Sequence, residues 1–146
     1  MEKINFAKVR DVKSPLVSTT GSAGIDFFVP NDFIDVALMS GEDILIPSGI
    51  KMNLPEGKVL ISFNKSGVST KKKLIIGACV IDSDYQGEIH LHLINYSNKV
   101  AEIRAGDKIA QFILLDFNSV ELLQTHESEL FDKESQRGSG GFGSTN

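Results

Sequence analysis

Apolar and polar side chains alternate along short stretches of this chain, and turn-forming residues separate the stretches. The clearest is 88–93 (EIHLHL), which puts Ile89, Leu91 and Leu93 on one face and His90 and His92 on the other. That two-residue period belongs to a half-buried strand. Residues 44–54 (ILIPSGIKMNL) are apolar, with Pro47-Ser48-Gly49 as a turn in their middle. The run 58–63 (KVLISF) follows Pro55-Glu56-Gly57, and 108–115 (KIAQFILL) follows Ala105-Gly106-Asp107. Near the start, Ile4, Phe6 and Ala7 sit among polar neighbours. Short β-rich runs punctuated in this way predict an all-β fold: sandwich, jelly roll or barrel. One short helix fits over 66–74, and 120–130 reads equally as strand or helix.

The pattern changes at Asp132. From there the chain is polar and then glycine-rich (DKESQRGSGGFGSTN), a composition that cannot bury enough surface to offset the entropy of ordering glycine. The expected organisation is therefore a single β domain over 1–131 and a flexible arm over 132–146. A frayed terminus is one reading of the arm. The other rests on Arg137, Phe142 and the Ser144-Thr145 pair. Backbone N–H groups at glycines approach phosphate oxygens, arginine forks onto them, and a phenyl ring stacks on a base.

Composition narrows the class. The 146 residues are 41% hydrophobic and 23% charged, which excludes a disordered chain. Fifteen Lys and Arg against nineteen Asp and Glu give a net charge of -4, which disfavours duplex nucleic acid as a partner and repels anions unless local positive charge or a metal compensates. No apolar run is long enough for a membrane span, and the first residues lack the apolar stretch of a secretory signal. A lone cysteine, Cys79, forms no internal disulfide, so a reducing compartment such as the cytoplasm is expected.

Some motifs mislead. Gly138-x-Gly140-x-x-Gly143 matches a dinucleotide fingerprint, but no helix can follow it three residues from the end. His90-x-His92 could be a metal pair, but no third ligand accompanies it, and two polar positions on the outer strand face are the better account. His126 stands alone among polar residues, and Lys71-Lys72-Lys73 reads as a solvated face that could also raise the potential near an anion.

The stretch 78–95 (ACVIDSDYQGEIHLHLIN) carries the most information. An apolar strand delivers Asp82, a turn follows, and a second strand leaves. Alone this is a hairpin whose acidic residues cap the turn. Four further segments accompany it: Ala23-Gly24-Ile25-Asp26, Lys65-Ser66-Gly67-Val68, 106–111 (GDKIAQ) and 137–145 (RGSGGFGST). In this order the five resemble the motifs of the trimeric deoxyuridine triphosphatase (dUTPase) family.

That resemblance implies a distorted jelly-roll-like β-barrel or sandwich, a homotrimer with active sites at subunit interfaces, and Mg²⁺-assisted hydrolysis of dUTP to dUMP and pyrophosphate. Asp82 matches the carboxylate that activates the attacking water, and Tyr85 the ring under the deoxyribose that leaves no room for a 2′-hydroxyl. Ile76, Val80 and Ile81 match backbone that reads uracil, and His90 falls at the pocket floor. Lys65, Ser66 and Gly67 match the phosphate-binding motif, with Ser66 at the start of the short helix. Gln111 is either a contact near the α-phosphate or an ordinary polar strand position. Asp26 matches a residue that holds the Lys65 cation, and Asp84 a turn residue. Arg137, Phe142, Gly143, Ser144 and Thr145 match an arm that closes over the nucleotide. Mg²⁺ is assigned to triphosphate oxygens and water, with no protein ligand.

The chain departs from the family pattern at Lys65, where arginine is usual, at Cys79, where glycine is usual and where a thiol packs most simply into the core, and at Asn146. Two other classes fit the same sequence: a dCTP deaminase on the same fold, and a nucleotide-gated interaction module that uses the arm as a switch.

Overall fold

The computed structural model describes residues 3–141. Their strands are β1 (Asn5–Lys8), β2 (Leu16–Val17), β3 (Ile25–Phe28), β4 (Val36–Leu38), β5 (Asp43–Pro47), β6 (Ile50–Asn53), β7 (Lys58–Phe63), β8 (Leu74–Ile76), β9 (Val80–Ile81), β10 (His90–Asn95), β11 (Ala101–Ile103) and β12 (Lys108–Asp116). The largest sheet has the order β2-β3-β12-β7-β9, a second is β5-β10-β8, and β1-β6 and β11-β4 form two-stranded ribbons. All these pairings are antiparallel. The result is an all-β, jelly-roll-like body whose sheets do not close into a barrel.

The alternation seen in the sequence is the alternation of burial. Along β10 every second residue is buried, and Ile89, Leu91 and Leu93 are almost wholly inaccessible. β12 lies between β3 and β7, and its inward Phe112 meets Phe27 with ring centroids 4.5 Å apart. Around this pair pack Ile46, Ile50, Leu60, Leu74, Ile103 and Ile109. The β5–β6 turn needs its glycine. Gly49 has φ +76°, and a Cβ there would come within 2.8 Å of Val12.

The short helix differs from expectation. Ser66 and Gly67 lead into a π-helical turn at Val68–Lys72, and the helix stops two residues early because Lys73 adopts φ +62°. Leu74 is then free to enter β8 opposite Asn95. One wide turn sums few peptide dipoles, so the helix-terminus support expected for an anion at Ser66 is small. Residues 117–126 form neither strand nor helix, and among the described residues after them the helical element is a 3₁₀ turn, Glu127–Glu129. No helix among the described residues is long and apolar enough to cross a membrane.

One buried polar side chain ties distant segments together. Asn95 has no exposed surface. Its Nδ2 donates to the carbonyls of Leu38 (2.9 Å), Met39 (3.1 Å) and Lys99 (2.7 Å), and its Oδ1 accepts from the Ser97 N–H and hydroxyl. Asn95→Leu keeps the branching at Cγ but strands these groups. Such a loss costs about 3 kcal/mol, so urea unfolding should show a lower midpoint at unchanged slope.

Candidate active site

The chain builds two polar centres. The first surrounds the 80–90 hairpin. β9 is an edge strand of two residues, with Val80 opposite Ile61 and Ile81 opposite Leu60. The Ser62 N–H donates to the Cys79 carbonyl at 2.9 Å and extends that pairing by one residue. The chain then turns, with the Tyr85 N–H on the Asp82 carbonyl at 3.2 Å. A cleft of about 220 Å³ lies against this arm, lined by Leu45, Cys79, Ile81, Asp82, Tyr85 and His90, with Ala78 and Val80 completing it. Asp82 is exposed and its carboxylate makes no hydrogen bond to any described residue.

Glu88 fixes the far wall. Its carboxylate takes a fork from Arg10 (2.7 and 3.2 Å) and the Gly49 N–H (2.7 Å). The Arg10 hydrogen bond holds this carboxyl below the usual glutamate range, against the upward push of burial. The Glu88 carbonyl accepts from the Tyr85 hydroxyl at 2.8 Å and from His90 Nδ1 at 2.9 Å. A carbonyl only accepts, so Nδ1 of His90 carries a proton. The Tyr85 ring also lies so close over Gly87 that a Cβ there would sit 2.3 Å from the tyrosine oxygen.

The second centre forms where β3, β12 and the end of β7 run side by side. Asp26 is 4% exposed. Its Oδ1 accepts from Lys65 at 2.8 Å, and its Oδ2 from Lys108 (3.0 Å) and Ser18 (2.9 Å). Burial pushes the Asp26 carboxyl upward, but the hydrogen bonds from Lys65, Lys108 and Ser18 outweigh it and hold it below the ordinary aspartate range. Gln111 pairs with Asp26 on one side and Phe63 on the other, and its Nε2 donates to the Asn64 carbonyl at 2.9 Å. A Cβ at Gly24 would meet Gln111 Oε1 at 2.8 Å, so the glutamine amide leans over the glycine of the first motif.

The expected residues divide between these centres. Val80, Ile81, Asp82, Tyr85 and His90 share the cleft. Asp26, Lys65 and Gln111 share the lysine cluster, and Ser66 and Gly67 follow Lys65 at the head of the short helix. Ile76 joins neither: its N–H is taken by Asn64 Oδ1 at 2.8 Å, and it does not line the cleft. Arg137 is exposed, with its Nε donating to the Gly140 carbonyl at 2.7 Å. Phe142, Gly143, Ser144 and Thr145 lie outside the described residues.

Cys79 is half-buried in the cleft wall and not in the core, because the Ser62 pairing lays its backbone along the sheet edge. Among the described residues no three His, Cys, Asp or Glu side chains converge as a metal site. Both histidines of His90-x-His92 have other partners. Sequence reasoning missed Lys108, Ser18, Asn64 and Glu88. Lys108 stood inside a quoted motif, but its role depends on strand register, which no local pattern reveals.

A family model described as dUTPase matches residues 10–146. The deoxyuridine 5'-triphosphate nucleotidohydrolase of Finegoldia magna is 40% identical over 135 residues, covering 90% of each chain. The protein of the same name from Hydrogenobaculum sp. is 36% identical over 146 residues, covering 98% of this chain and 97% of its own. Among solved structures, the Staphylococcus bacteriophage 80alpha dUTPase with dUPNHPP matches with a TM-score of 0.86 at 25% identity, covering 100% of this chain and 99% of that one. With fold, sequence relatives and family model in agreement over nearly the full length, the chain belongs to the dUTPase family.

Proposed function

We propose that the protein hydrolyses dUTP to dUMP and pyrophosphate by attack of water on the α-phosphorus, which keeps uracil out of DNA and supplies dUMP for thymidylate synthesis. The observation that carries this reading is the cleft in which an exposed edge strand, a tyrosine ring and an unengaged carboxylate converge. Uracil pairs with the edge-strand backbone around Val80 and Ile81, in the manner of an added strand. Because Ile76 is already committed to Asn64, the reading falls to the arm alone. A donor–acceptor set fixed in this way rejects cytosine, whose exchanged donor leaves buried groups unpaired. The Tyr85 ring, held by its hydroxyl on Glu88, stands under the deoxyribose and excludes ribonucleotides by shape. Asp82 takes the proton of the attacking water as general base.

The triphosphate rests on Lys65, Ser66 and Gly67, with Gln111 beside the α-phosphate. Lys65 lacks the planar fork of arginine, and Lys108 on the same Asp26 carboxylate supplies a second ammonium group. Arg137, Phe142, Gly143, Ser144 and Thr145 form the arm over 132–146 that covers the nucleotide bound to the 1–131 domain and expels bulk water. Mg²⁺ suits a ligand rich in hard phosphate oxygens. It is assigned to those oxygens and water, and when bound it neutralises phosphate charge.

A homotrimer fits two features. The cleft and the lysine cluster share no lining residue within one chain. The 117–131 segment also leaves Val120, Leu122, Leu123, Leu130 and Phe131 exposed, with Leu122 at 91%, an apolar surface suited to other copies. The reading places the enzyme in a reducing compartment.

Pyrophosphate release from dUTP and the four common deoxynucleoside triphosphates, with and without Mg²⁺, tests the assignment. Release from dUTP alone, stimulated by Mg²⁺, is expected, and ammonia from dCTP would overturn it. Asp82→Asn should lower kcat about a thousandfold and leave dUTP affinity by calorimetry near that of the parent. Asp26 has a depressed carboxyl pKa, so its contribution to stability is present above the unfolded value and lost as pH falls through the folded one. Asp26→Asn should therefore be less stable at neutral pH and show a flatter stability curve on acidification below about pH 4, measured by urea midpoints across that range.

A further inference from the structure

His92 is a residue of the hairpin region whose chemistry the reaction leaves unused. It stands on β10 opposite Leu45 of β5, and Leu45 lines the cleft. Three contacts tie it to the two residues that open the uracil-reading arm. Its carbonyl accepts the Gly77 N–H at 3.0 Å. Its ring Nδ1 accepts the Ala78 N–H at 2.8 Å. Its ring also occupies the space a side chain at Gly77 would need, with a Cβ there falling 2.1 Å from Nδ1. On the other side Nε2 meets Asp43 Oδ2 at 2.9 Å.

These contacts fix the proton. A backbone N–H can only donate, so Nδ1 must be bare, and the one ring proton then sits on Nε2 and is donated to Asp43. His90, two residues earlier on the same strand face, is held the opposite way, with its proton on Nδ1 toward the Glu88 carbonyl. One strand thus holds two imidazoles in different protonation patterns, each set by the backbone group it meets.

We propose that His92, as the Nε2–H tautomer oriented by Asp43, is a positioning residue that sets where the Ala78–Asp82 arm lies and thereby how tightly uracil is held. The inference rests on the dUTP reading given above. The arm is tied at Ala78 by His92 and at Cys79 by the Ser62 N–H, and the edge residues Val80 and Ile81 follow directly. Losing the His92 tie lets the edge drift from the base, which weakens binding. Asp82, held beyond a separate turn hydrogen bond from Tyr85, keeps its access to water, so turnover of bound nucleotide persists.

The test uses His92→Leu and His92→Asn in the full chain. Asparagine places its amide oxygen as many bonds from Cβ as Nδ1 and can accept from Ala78, whereas leucine cannot. For His92→Leu the KM for dUTP should rise about fivefold, the worth of one ordinary hydrogen bond, with kcat nearly unchanged. His92→Asn should recover most of that loss. In nucleotide-free protein, ¹⁵N spectra of the imidazoles should show Nδ1 bare and Nε2 protonated at His92. The Ala78 amide should be protected from hydrogen exchange in the parent and in His92→Asn, and exposed in His92→Leu. A proton on Nδ1 of His92, an unchanged KM in the leucine variant, or a loss that asparagine fails to recover would overturn the proposal. The spectra and exchange of the parent need no substrate and decide the contact even if a variant folds poorly. A parent protein inactive on dUTP would instead refute the dUTP reading.

Discussion

The double pairing of β12 sets the geometry on which both polar centres depend. Its inward face places Ala110 and Phe112 in the core, where Phe112 meets Phe27. The same register puts Gln111 between Asp26 on β3 and Phe63 on β7. Asn64 follows Phe63 and Lys65 follows Asn64, so the strand that builds the core also delivers the lysine cluster. A slip of one residue would exchange the two faces. It would bury Gln111 and expose Phe112, so core packing enforces the placement of the polar groups. The irregularity between Lys108 and Ala110 lets one residue fall out of step, and Lys108 is the residue that reaches back to Asp26.

Charge within the lysine cluster follows from burial. An isolated carboxylate as deeply buried as Asp26 is costly, and removing its partners would leave an uncompensated charge. Two ammonium groups and a hydroxyl satisfy it. The pair of lysines therefore has a structural duty of its own, and their contacts to Asp26 hold the cluster together. Glu88 plays the corresponding part beside the cleft. Its carboxylate gathers Arg10 and Gly49, while its carbonyl gathers Tyr85 and His90. One residue thereby joins the cleft wall to the start of β6.

Much of this was legible in the sequence where the signal is local. The period of two over 88–93 identified the buried face of β10, and Gly49, Gly57 and Gly106 all occupy turns with positive φ. Four of the five motif segments fall in the cleft or the lysine cluster. What escaped depends on distant partners. Ile76 has the composition of an edge strand, but Asn64 claims its N–H. Cys79 reads as a core residue until the Ser62 pairing lays it along the edge. The helix over 66–74 was expected to run to Leu74, yet Leu74 is 1% exposed and belongs to β8, so burial overrides local propensity there. The 120–130 run has the apolar content of a regular element but stays exposed and meets no facing surface among the described residues, and hydrophobic residues without a facing surface do not order into one.

The contact between Gly24 and Gln111 bears on how this sequence can change over time. The two positions lie on different strands or their approaches, yet the larger side chain leans over the smaller. A side chain gained at the first meets the flexible amide end of the second, which can swing aside, and swinging aside gives up its hold on the Asn64 carbonyl. Change at the first position is therefore felt at the second, and the two sites drift as a coupled pair.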